Sequence, residues 1–185
     1  MGIYSWWWKG CRFKMKTRKI AIIGLLSALN IASRIILKVL PNIKPVTPII
    51  FITSMIMGAE YGIPISIVTT IVSGFFLGLG TYIPFQILAF CIIALIGASI
   101  GKLFKKPNLI IMALLCGFMG FLYGFFVSLD KLFIAGPYAF LVYYGQGLSF
   151  DFLHAIGNIT FYIVLYPVLA PILRKEKAKI SQFDK

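Results

Sequence analysis

From residue 20 to residue 173 one apolar run follows another, interrupted only by short clusters of proline, glycine and charge. A helix that crosses the hydrocarbon of a bilayer needs about 20 apolar residues. In lipid, every backbone N–H and C=O must be satisfied inside the protein. Together these constraints predict an all-α, polytopic membrane protein. Composition points the same way. The chain is 60% hydrophobic and only 12% charged, with a mean hydropathy of +0.95, whereas a soluble domain lies nearer half apolar and a quarter charged.

The interruptions predict six transmembrane helices, over residues 20–40, 46–59, 63–79, 83–104, 109–129 and 149–173. Pro41, Pro45 and Pro48 make the entry to the second irregular, because proline removes a donor and restricts the residue before it. Glu60-Tyr61-Gly62 and Gly80-Thr81-Tyr82 are expected to be tight turns, with Pro84 suited to the first turn of the next helix. Lys105-Lys106-Pro107 separates the fourth span from the fifth. Residues 130–148 are expected to form one long outer loop, apolar and aromatic but too short to span. Its Gly136-Pro137 hinge and Tyr138, Tyr143 and Tyr144 fit either an interfacial anchor or a lid. The chain thus divides into a basic arm (1–19), a six-helix membrane domain (20–173) and a basic tail (174–185).

Charge sets the expected orientation. With both termini cytoplasmic, the arm (Lys9, Arg12, Lys14, Lys16, Arg18, Lys19), the turn with Lys102, Lys105 and Lys106, and the tail (Arg174, Lys175, Lys177, Lys179, Lys185) place 14 of the 18 basic residues inside. Arg34, Lys38, Lys44 and Lys131 remain. This is the asymmetry of the positive-inside rule, and it explains the net charge of +13 without nucleic acid. Trp6-Trp7-Trp8 fits an interfacial anchor, and Met15 fits an alternative start, which would make residues 1–14 a start-site artefact. Cys11, Cys91 and Cys116 are odd in number and contain no C-x-x-C pair, so neither a disulfide framework nor a metal site is expected.

Two helix faces carry the unusual chemistry. In the last span Asp151, His154 and Asn158 fall at i, i+3 and i+7, one face of a helix, and Tyr162 continues it a turn deeper. Such groups are costly in hydrocarbon when unpaired, so this stripe is expected to face the protein interior, a watery cavity or a ligand. It fits a polar cluster holding helices together and equally a wall of a substrate pocket. On the first span Gly24, Ala28 and Ala32 form a smooth row that admits a neighbouring helix, inside this protein or in a partner. Ser27, Asn30 and Arg34 lie together on another face. Arg34 is permanently charged, and an Arg34–Asp151 pair is expected, or an anionic ligand group in place of Asp151. Ala94/Ala98, Gly97/Gly101 and Gly120/Gly124 repeat the small-residue spacing later.

Other chemistry is missing from the sequence. It has no phosphate-binding G-x-x-x-x-G-K-[ST] loop and no H-E-x-x-H, and a single histidine cannot build a multi-histidine metal centre. An enzyme using Asp151 and His154 is one alternative, an accessory membrane subunit another. No catalytic residue and no metal ligand set is assigned.

Three stretches then carry a resemblance across nearly the whole chain from Met15: ALNIASR (28–34), FFLGLGTYIPFQILAF (75–90) and FDFLHAIGNITF (150–161). In order and spacing they resemble an Ala-x-x-x-Ala first helix followed by arginine, a Gly-rich turn followed by Pro-x-Gln, and Asp-x-x-His-Ala-x-Gly-Asn. These are features of the S components of energy-coupling-factor (ECF) vitamin transporters. The resemblance implies a multi-pass plasma-membrane protein that is not an enzyme and has no cofactor of its own. It would capture a vitamin or precursor from outside and dock on a transmembrane T component carrying two cytoplasmic ATPases that use ATP. The motifs look most like the branch for cobalamin or its precursors; another small vitamin is the alternative. Thr81-Tyr82-Ile83 departs from the bulky aromatics of that branch. The residues implied for substrate are Arg34, Tyr82, Gln86, Tyr143, Tyr144, Gln146, Asp151, His154 and Asn158, in a pocket closed by loops 41–45, 80–84 and 130–147. His154 is also a candidate cobalt ligand. Gly24, Ala28 and Ala32 are implied for docking, against a background of membrane lipid.

Overall fold

A computed structural model describes residues 3–40, 42–104 and 107–183, with side-chain surroundings from Thr17 to Gln182. The side chains of the tryptophan run, of Cys11 and of the basic residues before Thr17, and the whole of Pro41, Lys105, Lys106 and Lys185, lie outside what is described. Among the described residues every element is helical: α1 (Ile3–Ile36) followed by a short 3-10 turn (Leu37–Val39), α2 (Val46–Met57), α3 (Ala59–Leu77), α4 (Ile83–Leu103) and α5 (Leu109–Phe183). Among the described residues four segments are long and apolar enough to cross a membrane: Thr17–Val39, Ala59–Leu77, Ile83–Leu103 and Leu109–Gln182.

α5 is two helices. At Gly136 the backbone takes φ 81°, ψ 179°, a conformation open essentially to glycine. Pro137 then opens the second arm, where its missing N–H costs nothing. The arms, 109–135 and 137–183, fold back on each other. Gly117 faces Ile159 and Ala155, Gly120 faces Ala155 and His154, and Gly124 faces Asp151. Ascending numbers meet descending ones, so the arms are antiparallel, and a row of glycines brings them close. The expected outer loop at 130–148 is therefore corrected: apart from the hinge it is helix. An apolar, aromatic segment can extend the turns on either side of one glycine, and no other residue in it forces the chain out of helix.

The turn expected at Glu60-Tyr61-Gly62 is also corrected. The break is at Gly58, with φ 104°, and α3 has already begun at Ala59. Glu60 suits its first turn, where the helix dipole favours negative charge. The Gly80–Tyr82 turn forms as expected, with Gly78 at φ 111° and Pro84 in the first turn of α4. α5 begins on a cap absent from the sequence reading: Asn108 Oδ1 accepts the amides of Ile110 (2.9 Å) and Ile111 (3.3 Å).

α2 is the centre of the bundle. All 12 of its residues are buried, enclosed by α3, α4 and α5. Small residues permit this. A Cβ on Gly97 would press on the Phe51 carbonyl, one on Gly101 on Met55, and one on Gly62 on Ser54. Polar side chains inside the bundle turn back on their own helices, as in Ser54 to the Ile50 carbonyl (2.7 Å) and Ser66 to that of Gly62 (2.8 Å). Successive helices alternate in direction, giving the bundle two ends. At one, Lys19 pairs with Glu60 (2.5 Å), Arg18 with Glu176 (3.3 Å), and Lys177 donates to the Ile56 carbonyl (2.6 Å). The other end holds the candidate site.

Candidate functional site

α2 rises only about 18 Å at 1.5 Å per residue, well short of the roughly 30 Å of a hydrocarbon core. Above it the chain is irregular from Asn42 to Pro45. Irregular backbone at this depth is tolerated where protein buries it or where it lines a cavity, and here both hold. No residue of α2 reaches the cavity, whereas Asn42 lines it.

The loop is pinned by His154. Its Nδ1–H donates to the Asn42 carbonyl (2.7 Å), and the Thr47 hydroxyl donates to Nε2 (3.1 Å). A carbonyl can only accept, so Nδ1 carries a proton, and in the neutral ring Nε2 is the acceptor left for the Thr47 hydroxyl. The ring stacks on Tyr123, 5.2 Å between centroids. Gly157, one turn on, lets Ile43 of the same loop approach.

A hydrogen-bonded chain continues from there. Gln86 Nε2 donates to the Tyr123 hydroxyl, and Arg34 Nη2 donates to Gln86 Oε1 (3.1 Å). The expected Arg34–Asp151 pair is absent; glutamine, reaching across from α4, takes the guanidinium instead. Arg34 Nε and Nη1 and Asp151 Oδ2 are buried without a hydrogen-bond partner.

The cavity has a volume of about 460 Å3. Tyr82, Gln86, Tyr143, Gln146 and Asp151, all expected at a substrate site, line it, together with Asn42, Tyr123, Gly124, Val127, Ser128, Gly147 and Phe150. A shallower apolar groove of about 360 Å3 adjoins it and shares Tyr143 and Gln146. Four expected residues stand elsewhere. Arg34 is held behind Gln86, and His154 supports the wall through Tyr123 and Asn42. Asn158 is fully buried with no hydrogen-bond partner for its amide. Tyr144 packs on Phe140 (5.9 Å, stacked) and Phe125 (5.8 Å, edge-on). The stripe Asp151, His154, Asn158 and Tyr162 is buried along its whole length, as are Ser27, Asn30 and Arg34 of α1.

Sequence reasoning missed Tyr123 and Ser128, and reached Asn42 only through the loop 41–45 expected to close the pocket. For Tyr123 a signal was present beside the Gly120/Gly124 spacing. Gly124 matters directly: a Cβ there would occupy the place of the Asp151 carboxylate.

The row Gly24, Ala28 and Ala32 is exposed, and among the described residues nothing comes within 4 Å of the position a Cβ would take on Gly24. It lies on the outside of the bundle, flanked by exposed Leu25, Leu29 and Ile36.

No protein-family model matches the chain, and neither a curated protein nor a solved structure matches it significantly.

Proposed function

We propose that this chain is the substrate-binding membrane subunit of an ECF-type importer, an S component. In this reading it crosses the plasma membrane six times, the two arms of α5 each crossing once and the short α2 completing its crossing through the loop 42–45. Both termini are cytoplasmic, which puts the basic end of the bundle inside and the cavity outside. The observation that carries the reading is the cavity itself: half open at one end of the bundle, walled by tyrosines and a few placed polar groups, as ligand sites are. The uncovered Gly24–Ala28–Ala32 row supports a docking face for a T component, because small residues on a lipid-facing surface let another helix approach closely.

The cavity favours a compact ligand over an intact corrinoid. Its volume, about 460 Å3, lies in the lower half of the range for sites that enclose drug-sized molecules. A corrinoid, with its macrocycle and amide arms, would stand out of it. Cobalt ligation by His154 is disfavoured, because both ring nitrogens already hold Asn42 and Thr47. The same engagement disfavours an enzyme using His154 as a base.

Uptake tests the proposal. Cells expressing the chain with a T component and its ATPases should accumulate a labelled vitamin, and cells lacking either partner should not. Uptake by the chain alone, or turnover of the ligand by the purified chain, would overturn it.

A further inference from the structure

Resting on that reading, the structure assigns a substrate class to the cavity: we propose that it takes a compact organic cation or donor-rich nitrogen base, anchored on the Asp151 carboxylate. Asp151 is 4% exposed, lines the cavity and has an unpartnered Oδ2. It is recessed over Gly124, so it is placed there by the backbone rather than by a flexible stem. An ionised carboxylate only accepts hydrogen bonds, and a buried one left without a donor is costly.

The protein does not neutralise it. Among the described residues no lysine or arginine nitrogen lies within 4.0 Å of Asp151. Of the cations at that end, Arg34 gives one nitrogen to Gln86 (3.1 Å) and keeps Nε and Nη1 unpartnered behind it, Lys131 pairs with Asp130 (3.0 Å), and Lys38 and Lys44 stand off the cavity wall. Arg34 is not on the cavity wall, so the charge that faces a ligand directly is negative.

Several donors on the wall are already engaged, while the Tyr123 and Tyr143 hydroxyls and the Gln146 amide donate to no group among the described residues. The Tyr82 hydroxyl donates to the Gly78 carbonyl (2.7 Å), the Ser128 hydroxyl to the Gly124 carbonyl (2.7 Å), Gln86 to Tyr123, and the Asn42 amide to the Phe150 carbonyl (3.4 Å). A carboxylate or phosphate ligand would find neutral donors only, with no cationic side chain on the wall among the described residues, and would meet the Asp151 carboxyl group there. A cation finds that carboxyl group as its partner, with the Tyr82 ring on the same wall; the Tyr143 ring already faces Lys131 (5.3 Å) and the Tyr123 ring packs on His154 and Phe90.

Thermal unfolding of the full chain in detergent tests the assignment with five probes. Pyridoxamine and thiamine carry cationic nitrogen; 4-pyridoxate, nicotinate and cyanocobalamin represent anionic rings and a corrinoid. At least one cationic probe should raise the midpoint of the wild type by several degrees. In Asp151→Asn, which keeps the shape over Gly124, its affinity should fall about 10- to 100-fold, the loss of one charge-assisted hydrogen bond. Affinity unchanged in Asp151→Asn overturns the assignment. Stabilisation only by an anionic probe or the corrinoid overturns it and leaves the binding-subunit reading standing, while stabilisation by none overturns both. If Asp151→Asn does not fold, the wild-type ranking of cationic against anionic probes decides alone.

Discussion

Two rows of small residues sit on two helices of this protein with nearly the same spacing and opposite surroundings. Gly117, Gly120 and Gly124 on the first arm of α5 are buried against the second arm. Gly24, Ala28 and Ala32 on α1 are exposed. The first row is a finished contact: it brings two arms together, seats the Asp151 carboxylate and supports His154. The second is a contact surface with no counterpart among the described residues. Spacing alone announces that a helix can approach; only the fold shows whether one has.

The largest expected effect comes from filling the finished row. Gly120→Leu would drive its side chain into the Ala155 backbone, where a Cβ alone already meets the amide nitrogen at 2.9 Å. Backbone cannot yield as a side chain can, so the cost should be about 3 kcal/mol or more. The check is loss of a monodisperse peak in size-exclusion chromatography or a collapsed thermal midpoint. A variant as stable as wild type would break the comparison.

His154→Ala comes next. It removes two hydrogen bonds and the Tyr123 stacking partner and leaves the Asn42 loop unpinned, a loss of about 2–3 kcal/mol readable in thermal unfolding. Weaker binding should accompany it, because Asn42 and Tyr123 line the cavity.

Ala28→Leu and Ala32→Leu sharpen the contrast from the other side. Both positions are exposed, so stability should change by no more than about 0.5 kcal/mol and ligand affinity not at all. Co-purification with a T component should be lost. The smallest effect is expected for Tyr144→Phe, since Tyr144 makes ring contacts away from the cavity; ligand affinity should stay within about twofold, well inside 1 kcal/mol.

Much of this was legible in the residues. Apolar runs and their punctuation located the helices, and the i, i+3, i+7 stripe of Asp151, His154 and Asn158 foretold a buried face. Gly136-Pro137 marked a hinge. What was not legible depended on distance across helices. The partner of Arg34 is Gln86, 52 positions away, and sequence offers no rule for choosing it over Asp151. His154 holds the Asn42 carbonyl, a backbone group that no side-chain pattern reveals. The helical course of residues 130–148 was obscured because aromatic, glycine-containing sequence suits a loop as well as a helix. The burial of α2 was obscured by its proline-rich entry, which signalled irregularity but not that the helix beyond it would be the core.

The most direct measurement is quantitative mass spectrometry of small molecules released when the purified, folded wild-type protein is denatured. The account predicts a compact ligand bearing basic nitrogen, in a ratio approaching one per chain. A well-folded protein that releases nothing, from cells able to make or import such compounds, would contradict it.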